Sequence, residues 1–105
     1  MEIRDFQNLC SKIVDRIDNK YNIERNPHFN FTQLMEEIGE LAKAINMPKL
    51  RNKKLDQQNL DEEFADVFLL LSNLAKTHNV DFENAVKMKI KKLKKRHNID
   101  IENIK

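Results

Sequence analysis

Apolar residues at the start of the chain recur every three or four positions: Ile3, Phe6, Leu9, Cys10, Ile13, Val14 and Ile17. That spacing predicts an amphipathic helix from about Glu2 to Asn19, with these residues on its buried stripe. The pattern then lapses. From Asn19 to Asn30 the chain is polar and holds Pro27, which predicts an irregular connection. Periodicity returns with Leu34, Ile38, Leu41 and Ile45, placing a second helix over about Phe31 to Ile45. Asn46-Met47-Pro48 is expected to stop it, because proline has no N–H to donate and disfavours helix at the residue before it. The next stretch, Lys49 to Asn59, is polar and compatible with a loop or a short helix.

A third helix is expected from about Leu60 to His78, with Asn59 as its N-cap and Glu62 as the capping-box partner. Its stretch Val67-Phe68-Leu69-Leu70-Leu71 is apolar on every side and must bury more than one face. In so small a chain, a second subunit is the expected cover. A fourth helix starts after Asp81 as N-cap and runs to about Arg96, with Val86, Ile90, Leu93 and His97 on its inward stripe. The tail from Asn98 to Lys105 is expected to be loosely ordered.

With 105 residues, one glycine and two prolines, the chain has little turn chemistry for a sheet. The expectation is a single domain over residues 1–105, all-α, a four-helix bundle-like subunit that assembles into a homodimer or homotetramer. A single cysteine, Cys10, excludes an intrachain disulfide framework and a multi-cysteine zinc site. No apolar run approaches the roughly 20 residues that span a bilayer. The amino terminus has no apolar signal segment, so a cytoplasmic location without a membrane partner is expected. The net charge of +2 by itself implies no nucleic-acid partner. Its distribution matters more: Lys87 to Arg96 carries seven basic residues and no acid, while the middle of the chain is acidic.

The acidic positions carry the candidate chemistry. Leu34-Met-Glu36-Glu37-Ile-Gly-Glu40-Leu41 and Leu60-Asp-Glu62-Glu63-Phe-Ala-Asp66-Val67 superpose, leucine on leucine and Glu40 on Asp66. On a helix Glu37 and Glu40 sit about 60° apart beside the apolar stripe, as do Glu63 and Asp66. If the two stripes share a core, four carboxylates converge at its edge. Such charges repel and raise one another's pKa unless something neutralises them. A hard divalent cation with oxygen ligands, Mg2+ with Mn2+ as the alternative, does so. None of the four acids has lysine or arginine at i+4, the ion pair a solvated helix often uses. A lone Glu-x-x-Glu usually marks a solvated face; the repeat in register beside the stripes is what singles these acids out.

Glu37-x-x-Glu40, 22 intervening residues and Glu63-x-x-Asp66 together resemble the signature of the MazG-like nucleotide pyrophosphohydrolases of the all-α NTP pyrophosphatase superfamily. The surrounding words Glu-Glu-Ile-Gly-Glu-Leu-Ala and Glu-Glu-Phe-Ala-Asp-Val are similar too, and the resemblance extends from about Phe29 to His97. It implies a magnesium-dependent enzyme that hydrolyses nucleoside triphosphates between the α and β phosphates, giving a monophosphate and pyrophosphate. It also implies that Glu37, Glu40, Glu63 and Asp66 ligate the metal and serve catalysis, and that the cellular role is removal of non-standard or surplus nucleotides. Glu36 and Glu62 are secondary candidates. The family's late-helix Lys-x-x-x-Asn-x-x-Arg reads here Lys89-x-x-x-Leu93-x-x-Arg96, so lysine and arginine are phosphate candidates and the asparagine is replaced.

Arg51, Lys53 and Lys54 are further candidates for closing over phosphates, and Phe29, Asn30 and Phe31 for contacts with a base. His28, His78 and His97 show no ligand spacing. His97 is expected to pack or cap. Two other readings remain. One is phosphoribosyl-ATP pyrophosphohydrolysis, from the same superfamily. The other is a non-catalytic helical module that binds nucleic acid through Lys87 to Arg96.

Overall fold

The computed structural model describes residues 2–100; the carboxy-terminal part of the expected loose tail, residues 101–105, lies outside the described residues. Those described form four helices and no strand: α1 Ile3–Tyr21, α2 Pro27–Leu50, α3 Gln57–Thr77 and α4 Phe82–His97. The third helix is the hub, packing against the other three.

Local chemistry explains where the helices differ from expectation. α2 begins four residues early because Asn26 is its N-cap, its side chain accepting from the Phe29 N–H at 2.8 Å, with Pro27 in the first turn where no N–H is needed. It also continues past Ile45. Pro48 sits inside its last turns, so the expected stop gives way to a Schellman ending: Asn52 donates to the Lys49 carbonyl and Lys53 to the Pro48 carbonyl. α3 starts earlier because Asp56, rather than Asn59, caps it, accepting from the Asn59 N–H at 3.1 Å. A carboxylate there also meets the positive end of the helix dipole. Asp81 caps α4 in the expected way.

Asparagine ends every helix. Asn22, Asn52, Asn79 and Asn98 are the non-glycine residues at positive φ among those described, each at the carboxy-terminal end of a helix. Asparagine tolerates the left-handed conformation better than other side-chain-bearing residues, and this chain has only one glycine to offer.

The packed face of α1 also differs from its apolar stripe. Cys10 and Val14 are buried, as are the polar Gln7, Ser11 and Asp18, while Ile3, Phe6, Leu9, Ile13 and Ile17 are exposed. Gln7 tolerates burial because it is fully occupied: it donates to the carbonyls of Ser72 and Val80 and accepts from the Phe82 N–H. That amide joins α1 to both sides of the α3–α4 turn. Beside it Phe6 meets Phe68 edge-on, and Phe68 stacks on Phe82.

Only Cys10, Val14 and Leu34 form the fully buried apolar core of the described chain. Burial pushes the Cys10 thiol up in pKa, away from the reactive thiolate. Within Val67–Leu71, Phe68 and Leu71 are exposed and the others half-buried, and Phe64 joins the exposed set. The radius of gyration is 16.9 Å, against about 13 Å for a compact chain of this length. The fold is thus an open arrangement with its apolar surface only partly covered. His97, expected to pack or cap, is exposed as the last residue of α4, where the helix ends in basic residues.

Candidate metal centre

The paired acidic segments lie on α2 and α3, which pack along each other. Carboxylate oxygens of Glu37, Glu63 and Asp66 come within 4.8 Å of one another. Glu37 and Glu63 are half-buried, while Asp66 is exposed. One oxygen stands out: Glu63 Oε2 is buried and has no hydrogen-bond partner. An anionic oxygen in that state is costly unless a positive charge meets it. The Glu37 carboxyl is pushed up in pKa, first by burial and then by Asp66, Glu63, Glu40 and Glu36 around it. Oxygen donors, mutual repulsion and an orphaned buried oxygen together fit a hard divalent cation.

Glu40 lies outside this group of three. Its carboxylate is 3.8 Å from Lys43, an i, i+3 pair on an exposed face. The absence of a basic residue at i+4 therefore did not leave Glu40 without a cationic neighbour, because positions three apart also face each other on a helix. Glu36 and Glu62 are exposed.

Two clefts flank the carboxylates. Toward α1, Ile13, Val14, Ile17, Leu69 and Leu70 line an apolar space of about 220 Å³ whose polar groups are Arg25, Gln33, Glu37 and Asp66. Toward the α2–α3 turn, a second space of about 330 Å³ is lined by the acids Glu40 and Glu63 together with Lys43, Arg51, Lys53 and Lys54.

Arg25 went unnoticed in the sequence. Its guanidinium holds both Asp18 oxygens, at 2.7 and 3.0 Å, and donates to Asn30 and Gln33. It also lies 5.0 Å over the Phe29 ring. The fork geometry of arginine suits this bidentate contact. Through it the α1–α2 connection is tied to the end of α1 and the start of α2. Asn30 is buried at 4% exposure and held by Arg25, and Phe29 lies under the same guanidinium; neither lines the clefts beside the carboxylates. Phe31 lines a separate apolar hollow with Leu71 and Leu74. No periodic signal links Asp18, Arg25 and Gln33, which meet only once the chain turns.

Lys89 and Arg96 lie on α4, which packs on α1 and α3, and neither lines a cleft beside the carboxylates. His78 is the C-cap of α3, its Nδ1 3.0 Å from the Leu74 carbonyl. No helix among the described residues is long and apolar enough to cross a membrane.

The family model for the MazG nucleotide pyrophosphohydrolase domain matches residues 25–99, from Arg25 to the residue after the α4 cap. No curated protein and no solved structure matches the chain. The family match covers the greater part of the sequence, including both acidic segments and the turn between them. The chain belongs to the MazG nucleotide pyrophosphohydrolase family.

Proposed function

We propose that this protein hydrolyses nucleoside triphosphates to nucleoside monophosphate and pyrophosphate with the help of Mg2+, Mn2+ being the alternative. One observation carries the reading. In a chain that matches the MazG domain, three carboxylates from α2 and α3 lie within 4.8 Å, one of them with a buried, unpartnered oxygen. Glu37, Glu63 and Asp66 would hold the metal, with exposed Glu40 as a fourth ligand once its side chain leaves Lys43. When bound, the cation neutralises phosphate oxygens and polarises the phosphorus under attack.

The chain's own residues position and move protons. A carboxylate oxygen of the cluster that is not bound to the metal takes the proton of the attacking water. The water oxygen bonds to one of the two phosphorus atoms flanking the α–β bridge. The bridging bond breaks on the side of that atom, and the departing group carries the bonding pair. The apolar cleft between α1 and α3 receives the nucleoside and keeps water away from it, with Arg25 and Gln33 at hand for polar edges.

Removal of non-standard or surplus nucleotides is the cellular role this activity suits. A homodimer or homotetramer covers exposed Phe64, Phe68 and Leu71, and Lys89 and Arg96 reach phosphates from a neighbouring subunit. Leu93 takes the family's asparagine position, so no amide contact is made there. The family match does not favour phosphoribosyl-ATP hydrolysis or nucleic-acid binding through α4.

The test is incubation with Mg2+ and a panel of ribo- and deoxynucleoside triphosphates, resolving pyrophosphate from orthophosphate. Equal amounts of monophosphate and pyrophosphate are expected. Orthophosphate as the product, or no turnover by folded protein, would overturn the reading.

A further inference from the structure

The cations of the α2–α3 turn have no role in the metal cluster, yet they line the same cleft as Glu40 and Glu63. From this arrangement we infer that Arg51, Lys53 and Lys54 form a diphosphate subsite, binding the part of the substrate that leaves as pyrophosphate. The inference rests on the hydrolase reading for its substrate and adds which side of the metal cluster each end of that substrate occupies.

Within this cleft, charge pairing separates these residues from Lys43. Asp56, in the same cleft, is engaged as the N-cap of α3, and Lys43 is paired with Glu40. Among the described residues, Arg51, Lys53 and Lys54 form no ion pair with a carboxylate. Three cations beside two acids, unpaired with them, suit a ligand that brings its own negative charge together with a metal.

Backbone geometry keeps them in place. Asn52, left-handed at φ 54°, closes the end of α2, and the Lys53 N–H is bonded to the Pro48 carbonyl at 2.7 Å. The basic residues therefore ride on a hydrogen-bonded turn. Polarity then sets the substrate's direction. The opposite cleft is lined mainly by aliphatic side chains, and its one cation, Arg25, is engaged by Asp18, Asn30 and Gln33, so it offers little to a phosphate tail. A nucleoside fits there, and the diphosphate extends toward the turn.

The experiment titrates the full-length protein with Mg2+–pyrophosphate and separately with a nucleoside monophosphate, by calorimetry. It compares wild type with the triple variant Arg51→Gln, Lys53→Gln and Lys54→Gln. Loss of three partly exposed charge-assisted contacts is expected to weaken pyrophosphate about 30-fold and to leave the monophosphate within about twofold. Should the triple variant not fold, Lys53→Gln with Lys54→Gln keeps the turn's backbone bonds and is expected to show about a tenfold loss.

Unchanged pyrophosphate affinity in the folded variant would overturn the subsite, as would wild type that binds no pyrophosphate. Hydrolysis by wild type is scored in parallel. Turn-dependent pyrophosphate binding without any triphosphate turnover would support the subsite and remove the hydrolase reading. Turnover with turn-independent pyrophosphate binding would do the reverse.

Discussion

The two ends of α3 treat buried polar groups in opposite ways. Near its carboxy terminus, buried Gln7 satisfies two carbonyls and an N–H, so the polar group closes the structure on itself. Near its amino terminus, Glu63 keeps a buried oxygen with no partner, and Glu37 is crowded by four other carboxylates. The hydroxyls of Ser11 and Ser72 are also unpartnered, but a neutral hydroxyl costs far less to bury than an anionic oxygen. The contrast separates a polar group whose partners lie within the fold from polar groups left without them. A side chain's burial does not distinguish them; its complement of partners does.

Removing a carboxylate from the open end breaks the contrast most severely. Asp66→Asn is expected to lower triphosphate turnover by about a thousandfold, roughly 4 kcal/mol of transition-state stabilisation. Circular dichroism should show the fold intact, and wild-type turnover in this variant would remove Asp66 from the site. At the closed end, Gln7→Ala leaves two carbonyls and an N–H without their partner. A stability loss of about 2–4 kcal/mol is expected by urea unfolding, with Mg2+ affinity of the folded protein unchanged. A loss below 0.5 kcal/mol would mean that water replaces the amide.

Glu40→Gln sharpens the picture of the cluster's edge. About a hundredfold loss of turnover is expected if Glu40 leaves Lys43 to join the metal, whereas activity within twofold of wild type would restrict the ligand set to three.

The smallest effect has the opposite sign. Glu37 has a raised pKa in the folded protein, so the metal-free native state binds more protons than the unfolded chain. Its stability then falls as pH rises from the ordinary carboxyl value through the raised one, and the destabilisation is fully present above that window. Glu37→Gln is expected to raise the melting temperature of metal-free protein at neutral pH by a few degrees while abolishing its stabilisation by Mg2+. A lowered melting temperature would show that the carboxylate supports the apo fold.

Much of the helical layout was legible because a 3.6-residue apolar period marks a helix, although on α1 the period did not mark which residues are buried. The acidic segments on α2 and α3 were visible for the same reason, since their carboxylates border the stripes. Other features depend on contacts between distant positions. Gln7 reads as an ordinary polar residue until the α3–α4 turn comes against it. Arg25 lies in an aperiodic connection and meets Asp18 and Gln33 only after α1 and α2 are placed. Helix ends were misplaced where two signals competed. Asp56 and Asn59 are both good caps, and Pro48 is a stop that a well-formed last turn absorbed. Glu40's pairing with Lys43 was readable, but only by counting three residues as well as four.

The asparagines that end the helices have a consequence for how the protein ages. Asparagine is among the thermolabile residues, and hydrolysis of its amide leaves an aspartate. At Asn22, Asn52, Asn79 and Asn98 that new anion would sit at the negative end of a helix dipole, where it is disfavoured. At Asn52 it would also arrive between Arg51 and Lys53, giving two unpaired cations a permanent counter-charge. Prolonged heating would therefore wear this molecule at its helix ends, and at that one turn it would erode charge complementarity along with stability.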